Sequence, residues 1–154
     1  MALKTAQGRK STKKKIYYAH ALCMYDRQAR MYGWRGEERV AIQEIHQRFS
    51  RYRLVNPARY ENHPDKQADG MHFCMRLIED CDLVVFSRLQ EKITSGVGKE
   101  INHALKIGKP VYELRPGGRC VRVKKRQQYL SRQSTVRLYD KWRSLQKMPR
   151  SWYG

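Results

Sequence analysis

The chain has 154 residues and a mass of 18.4 kDa, the size of one ordinary domain. Hydrophobic residues make up 40% of it without any apolar run long enough to cross a bilayer, which excludes a wholly disordered chain and a transmembrane helix. The net charge of +19 is concentrated at the ends, with six bases and no acid in residues 1–15 and twelve bases against one acid in residues 114–154. Two basic arms therefore flank a nearly neutral body.

The first half of the chain alternates strand and helix patterns. Residues 1–14 are small, polar and basic, which predicts a disordered arm, and the β-branched and aromatic residues 15–22 predict the first strand. Apolar residues recur every three to four positions over 37–49, which predicts an amphipathic helix. A short strand is expected at 52–55, and the polar stretch 58–69 contains the turn signals Pro64 and Asp69-Gly70.

The alternation continues to about residue 114. A helix is predicted over 71–79, a strand covered on both faces over 82–86, a helix over 95–106 that Gly108-Lys109-Pro110 ends, and a strand over 111–114. This order predicts an α/β fold, a flavodoxin-like doubly wound parallel sheet of about five strands with helices on both faces. Ligands of such sheets bind where the strands end, here after residues 22, 55 and 86.

Beyond the body, the composition changes to basic residues interleaved with aromatic ones. A strand at 120–123 and a helix from Ser134 are predicted, and the aromatic residues on the apolar side of that helix are expected to pack onto the body or onto a partner subunit. The chain therefore divides into an N-terminal arm (1–14), an α/β domain (15–115) and a C-terminal extension (116–154).

The start of the fourth predicted helix contains residue types suited to chemistry. Ser95 suits an N-cap, and Gly96 and Gly98 leave backbone N–H groups open at a helix N-terminus, which favours a bound phosphate. Glu100, one turn later, faces the same side and can act as a nucleophile or an acid/base toward a glycosidic carbon. A capped helix with a solvated glutamate is the alternative interpretation of this spacing.

Three features follow one another along the chain: Tyr17 in the first strand, C-D-L-V-V at 81–85, and the block S-G-V-G-K-E-I-N-H-A-L-K-I-G-K-P-V over 95–111. Together they resemble the nucleoside 2-deoxyribosyltransferase family. Within that family it most resembles the deoxynucleoside 5′-monophosphate N-glycosidase branch, over residues 15–115. The resemblance implies that Glu100 is the catalytic nucleophile on the anomeric carbon and that Tyr17 lies beside it. It also implies that the position of Ser95 helps to bind the 5′-phosphate or a sugar hydroxyl. A homo-oligomer with shared active sites is implied, and no cofactor is expected.

Two positions differ from the family pattern. Cys74 stands where the family usually has an aspartate that acts on the base, and Thr94 stands where a second aspartate is common outside the monophosphate branch. Glu79 and Asp80 do not have the spacing to replace the first. Two functions therefore stay open: cleavage or 2-deoxyribosyl transfer at an N-glycosidic bond, and non-catalytic, ribosome-associated RNA binding on the same fold. A TIR-like NAD glycohydrolase fits the block less well.

The two arms predict a partner. Clustered cations neutralise phosphates, and aromatic rings stack on unpaired bases, so the arms are expected to bind RNA or another polyanion through its backbone. The histidines and cysteines lack metal-ligand spacing, no membrane partner is expected, and the N-terminus has no secretory signal, which predicts a cytoplasmic protein. The cations expected to contact nucleic acid are Arg9, Lys10, Lys13, Lys14, Lys15, Lys124, Lys125, Arg126, Arg132, Arg137, Lys141 and Arg143.

Overall fold

A computed structural model of the chain describes residues 13–21, 34–60 and 63–146. Its five strands form one sheet in the order β2-β1-β3-β4-β5, in which β1 to β4 run parallel and β5 runs antiparallel to β4. This order confirms the predicted flavodoxin-like α/β fold, with an antiparallel edge strand. The strands are β1 (Lys15–Ala19), β2 (Arg53–Val55), β3 (Leu83–Phe86), β4 (Val111–Arg115) and β5 (Arg119–Val123).

Helices cover both faces of this sheet, as predicted. They are α1 (Trp34–Arg48), α2 (Pro64–Ala68), α3 (Gly70–Glu79), α4 (Ser95–Lys106) and α5 (Arg132–Gln146). On one face, Ile45 of α1 packs into a buried cluster with alternate residues of β1 and β3. On the other face, Ile78 of α3 and Ile101 of α4 pack against the remaining residues of those strands. The central strands are buried on both sides, which explains their nearly continuous apolar sequence.

Local signals set the ends of α3 and α4. The side chain of Asp69 accepts a hydrogen bond from the backbone N–H of His72 at 3.1 Å, so Asp69-Gly70 starts α3 instead of forming a turn. Gly108, with φ of 81°, ends α4: its N–H bonds to the carbonyl of Leu105, and the next N–H, of Lys109, bonds to Ala104. This pair of bonds is the Schellman motif, which explains why the helix ends where the sequence predicts.

Helix α2 was not predicted, because the polar stretch around Pro64 favoured turns. Proline at the first position of a helix loses no hydrogen bond and already has helical φ. The Nδ1 atom of His63 accepts a hydrogen bond from the N–H of Asp65 at 3.2 Å and caps this short helix. Five residues are too few to show a helical period.

The C-terminal extension returns to the body and packs against it. Gly117 and Gly118, with φ of 86° and 81°, close the hairpin between β4 and β5. Helix α5 begins two residues before the predicted Ser134, and Trp142 on it is only 3% exposed, which confirms the predicted packing of this aromatic. Across the described segments, the helices are too short or too polar to cross a membrane.

Candidate active site

A cavity of about 240 Å³ lies beside the carboxyl end of β1, where His20 lines it, and beside the N-terminus of α4, the helix that follows β3. The chain leaves β1 toward α1 on one face and leaves β3 toward α4 on the other, so this is the point where open α/β sheets bind their ligands. Four helices contribute to the lining of this cavity. Lys66 comes from α2, Cys74 from α3, Gly96 and Glu100 from α4, and Tyr139 from α5.

Glu100 and Tyr17 meet in the wall of this cavity. Tyr17 is fully buried in β1, and its hydroxyl donates a hydrogen bond to Oε2 of Glu100, which is 6% exposed. Burial raises the pKa of Glu100 to about 7, although the bond from Tyr17, the charge of Lys66 and the thiol of Cys74 act in the opposite direction. Burial and the adjacent Glu100 raise the pKa of Tyr17 well above its usual value. Tyr17 is therefore a permanent donor, and Glu100 titrates near neutral pH.

Cys74 completes a group of three buried side chains. It lies on α3 and lines the cavity, and its thiol affects the pKa of both Tyr17 and Glu100. The side chain at position 74, where the family resemblance implied an aspartate, therefore faces Glu100 and is a thiol. The two nearby acids do not replace it: Glu79 lies 3.3 Å from His103, and Asp80 lies 2.7 Å from Lys15.

The N-terminus of α4 differs from the sequence prediction in detail. Thr94, not Ser95, is the N-cap residue, because Ser95 is already helical and its N–H donates to Oγ1 of Thr135 on α5 at 2.9 Å. Thr94 lines the cavity and is 2% exposed, and its hydroxyl has no hydrogen-bond partner in the described part of the chain. A buried polar group without a partner is costly, so this hydroxyl is available to a ligand.

Only some of the predicted α4 residues reach the cavity. Gly96 and Glu100 line it, whereas Ser95 and Gly98 do not. The side chain of Tyr129 packs directly against Gly98. A Cβ atom placed on this glycine would lie 2.2 Å from Cγ of the tyrosine. The glycine therefore permits close packing of the C-terminal extension on α4.

Lys66 and His20 add cationic and polar character to the cavity lining. The ammonium of Lys66 donates to the carbonyl of Pro57 at 3.1 Å. The buried His20 ring has Nδ1 3.1 Å from the carbonyl of Tyr18 and Nε2 2.8 Å from the carboxylate of Glu38, and these two contacts fix the orientation of the ring.

Sequence reasoning did not single out Lys66, Thr135 or Tyr139 for this site. Lys66 lies on a helix that has no sequence period, and Thr135 meets Ser95 across forty residues of sequence. The aromatic residues of the extension indicated packing or base stacking and not a place in this cavity.

The predicted nucleic-acid contacts occupy different environments. Lys15 is half-buried and paired with Asp80, while Arg9 and Lys10 lie outside the described residues, as does the side chain of Arg143. The remaining predicted cations are all exposed: Lys13, Lys14, Lys124, Lys125, Arg126, Arg132, Arg137 and Lys141.

Within residues 13–21, 34–60 and 63–146, no three His, Cys, Asp or Glu side chains are grouped so that they could hold a metal ion. Comparisons with protein-family models, with curated proteins and with solved structures found no match to this chain.

Proposed function

We propose that this protein cleaves or transfers the N-glycosidic bond of a nucleoside or nucleotide, with Glu100 as the nucleophile. The observation that carries the proposal is the buried Glu100 carboxylate, which Tyr17 holds in the wall of a cavity beside a helix N-terminus. The resemblance to the nucleoside 2-deoxyribosyltransferase family supports the same assignment, since it assigns this pair of residues the same roles.

In the proposed reaction, Oε1 of Glu100 attacks the anomeric carbon while Oε2 stays bound to Tyr17. The bond from carbon to the base nitrogen breaks, its electron pair leaves with the base, and a glycosyl ester forms on Glu100. Water or a second base then attacks the same carbon and releases the carboxylate. Tyr17 restricts the rotation of Glu100, which favours the geometry of attack.

The thiol of Cys74 affects which bases can act as leaving groups in this reaction. A departing base nitrogen needs a proton unless the base is stable as an anion, and a thiol is a weaker proton donor than the carboxylic acid that the family usually has here. We therefore expect turnover to be fastest with bases that are good leaving groups.

The polar groups at the start of α4 favour a nucleotide over a nucleoside. The unpartnered hydroxyl of Thr94, the backbone at Gly96 and the ammonium of Lys66 all border the cavity. A helix N-terminus carries partial positive charge and open N–H groups, so these three together suit a 5′-phosphate.

Release of free base from deoxynucleoside 5′-monophosphates tests the proposal. We expect Glu100→Gln to lower turnover by about a thousandfold or more, because the amide cannot form the ester intermediate. The matched control is Glu79→Gln, which makes the same change at the carboxylate beside His103 and should retain full activity. Undiminished base release by Glu100→Gln would contradict the assignment of the nucleophile.

The pH dependence gives a second test of the same assignment. Only the ionised carboxylate is a nucleophile, and the pKa of Glu100 is about 7. We therefore expect kcat/KM to rise with pH through about 7 and then to level off.

A second function is proposed on a separate observation. The cations Lys124, Lys125, Arg126, Arg132, Arg137 and Lys141 are all exposed, while Trp142 of the same extension is buried. A surface of this kind binds the phosphate backbone of RNA or another polyanion. We expect Lys124→Gln/Lys125→Gln to weaken the binding of an oligoribonucleotide and to reduce its salt dependence, as measured by fluorescence anisotropy.

A further inference from the structure

A second cavity, of about 540 Å³, lies on the outer side of α4, where residues 124–130 run along the helix. It does not share a residue with the cavity that contains Glu100. Its lining includes three cations, one aromatic ring and two apolar side chains, namely Lys99, Lys106, Arg126, Tyr129, Met75 and Leu105. We call this feature the α4 groove.

The second wall of the α4 groove is fixed in place by hydrogen bonds. The side chain of Asn102 donates to the carbonyl of Gln127 at 2.9 Å and accepts from its N–H at 2.8 Å. Three residues later, the N–H of Leu130 donates to the carbonyl of Ile93 at 2.9 Å. The groove is therefore formed before any ligand binds, which lowers the entropic cost of binding.

The Lys and Arg side chains that line the α4 groove are not accompanied by any Asp or Glu in its lining. Lys99 and Lys106 are seven residues apart on α4, so they project from the same side of the helix about 10 Å apart. Arg126 lies on the opposite wall. Within the described part of the chain, none of these three cations is paired with a carboxylate. Three neighbouring unpaired cations favour a ligand with several negative charges.

Tyr129 supplies a flat apolar surface in the same place. One side of its side chain packs on Gly98, where the absence of a Cβ atom allows close contact, and the residue is still 38% exposed. Met75 and Leu105 add apolar surface to the lining. An aromatic ring held in this way between cations can stack on an unpaired base.

We propose that the α4 groove binds a single strand of nucleic acid, with phosphates on Lys99, Lys106 and Arg126 and a base on Tyr129. This proposal rests on the second function proposed above, the binding of RNA or another polyanion. It places that binding on the folded body of the chain, because Lys99 and Lys106 belong to α4. Duplexes are disfavoured because their bases are already stacked. Acidic peptides are disfavoured because they offer nothing flat to cover the ring.

The first experiment measures the affinity of the full chain for a fluorescein-labelled ten-nucleotide oligouridine at several salt concentrations. We expect Lys99→Gln/Lys106→Gln to weaken binding about tenfold and to reduce the slope of log affinity against log salt by about 1.4, since each single-strand phosphate contact contributes about 0.7. The matched control, Arg51→Gln/Arg53→Gln, removes the same charge at other exposed positions and should change affinity less than twofold. Equal losses of affinity in the two double variants would contradict the assignment of binding to the α4 groove.

The second experiment addresses the stacked base. Tyr129→Phe should keep the affinity of the wild type, whereas Tyr129→Leu should lose about tenfold for the single strand and nothing for a duplex of equal length. Equal binding of polyglutamate and oligouridine, with the same dependence on Tyr129, would mark an acidic-peptide site instead and overturn the proposal.

The outcomes also separate this proposal from the function on which it rests. Binding that Lys124→Gln/Lys125→Gln abolishes and Lys99→Gln/Lys106→Gln leaves unchanged would keep nucleic-acid binding but remove it from the groove. Failure of the full chain to bind any oligonucleotide at 0.1 M salt would contradict both the proposed binding of nucleic acid and its assignment to the α4 groove.

Discussion

Glu100 links the chemistry of the site to the stability of the fold at the scale of one residue. Its pKa is about 7 in the folded chain and 4.5 when it is unperturbed, because burial disfavours its charged form. Between these two values the folded chain binds more protons at this residue than the unfolded chain does. The free energy of unfolding therefore falls as pH rises from 4.5 to 7, by about 3 kcal/mol for this group.

Glu100→Gln removes this dependence and keeps an oxygen that can accept the bond from Tyr17. We expect the variant to gain stability relative to the wild type as pH rises, with a gain at pH 8 that exceeds the gain at pH 5 by about 2 to 3 kcal/mol. Urea unfolding of both proteins at the two pH values measures this difference, and all other acids cancel in it. Parallel stability curves would mean that Glu100 is not desolvated.

Tyr17 acts on the same carboxylate as a positioning residue. Its hydrogen bond favours the charged form of Glu100, so Tyr17→Phe should raise the pKa of Glu100 and move the midpoint of the kcat/KM profile to higher pH. We also expect kcat to fall, because the carboxylate is less well oriented. Tyr18→Phe is the control, since Tyr18 is equally buried but bonds to Ser87 at 2.8 Å. A lower kcat with an unmoved midpoint would leave Tyr17 a purely structural role.

Helix α4 is the element on which the site and the C-terminal extension meet. Its N-terminus borders the cavity, and Gly98 in its first turn carries Tyr129. A Cβ atom at Gly98 would lie between 2.2 and 2.4 Å from three atoms of that tyrosine, so Gly98→Ala must displace the extension. We expect the variant to lose about 1 to 3 kcal/mol of stability.

A double-mutant cycle isolates this contact. In a Tyr129→Gly background the obstructing atoms are gone, so Gly98→Ala should stabilise the chain by up to about 1 kcal/mol, as alanine does in helices. The reversal of sign between the two backgrounds, measured by urea unfolding, is the expected result. A destabilising effect of equal size in both would show that Gly98 is needed for a reason other than Tyr129.

The elements differ in how far the sequence alone predicts them. Helix α4 was predicted with its observed bounds, because the groups that start and end it lie within a few residues of it. Helix α2 was missed because its stabilising features, Pro64 and the cap from His63, are typical of turns as well. Glu100 was singled out by its place one turn after a glycine-rich helix start, and Tyr17 through the family resemblance. The contact of Thr135 with Ser95 depends on packing forty residues apart and leaves no local pattern.

For the whole molecule, packing and hydrogen bonds join the C-terminal extension to the α/β domain. Thr135 of α5 accepts a hydrogen bond from the N–H of Ser95 at the start of α4, and Tyr139 of α5 lines the cavity. Arg132, Arg137 and Lys141 on the same helix are exposed. One helix therefore has a side that contributes to the candidate active site and a side available to a polyanion. The two proposed functions share a structural element and need not exclude one another.

This integration predicts how the whole chain resists a protease. Lys124, Lys125 and Arg126 are exposed substrates for trypsin, but the backbone after them is held at Gln127 by Asn102. Cleavage requires this segment to detach, so we expect slow cleavage there in the wild type. Asn102→Ala removes two hydrogen bonds, each worth about 0.5 to 1.5 kcal/mol, and should speed this cleavage about tenfold.

The control is Asn56→Ala, which removes the bond to the N–H of Ala58 far along the chain from this segment and should leave cleavage after residues 124–126 unchanged. Mass spectrometry of timed digests identifies each cut. Equally rapid cleavage in the wild type and in Asn102→Ala would mean that residues 124–131 are not held on α4. The α4 groove would then lack its second wall, which these residues form.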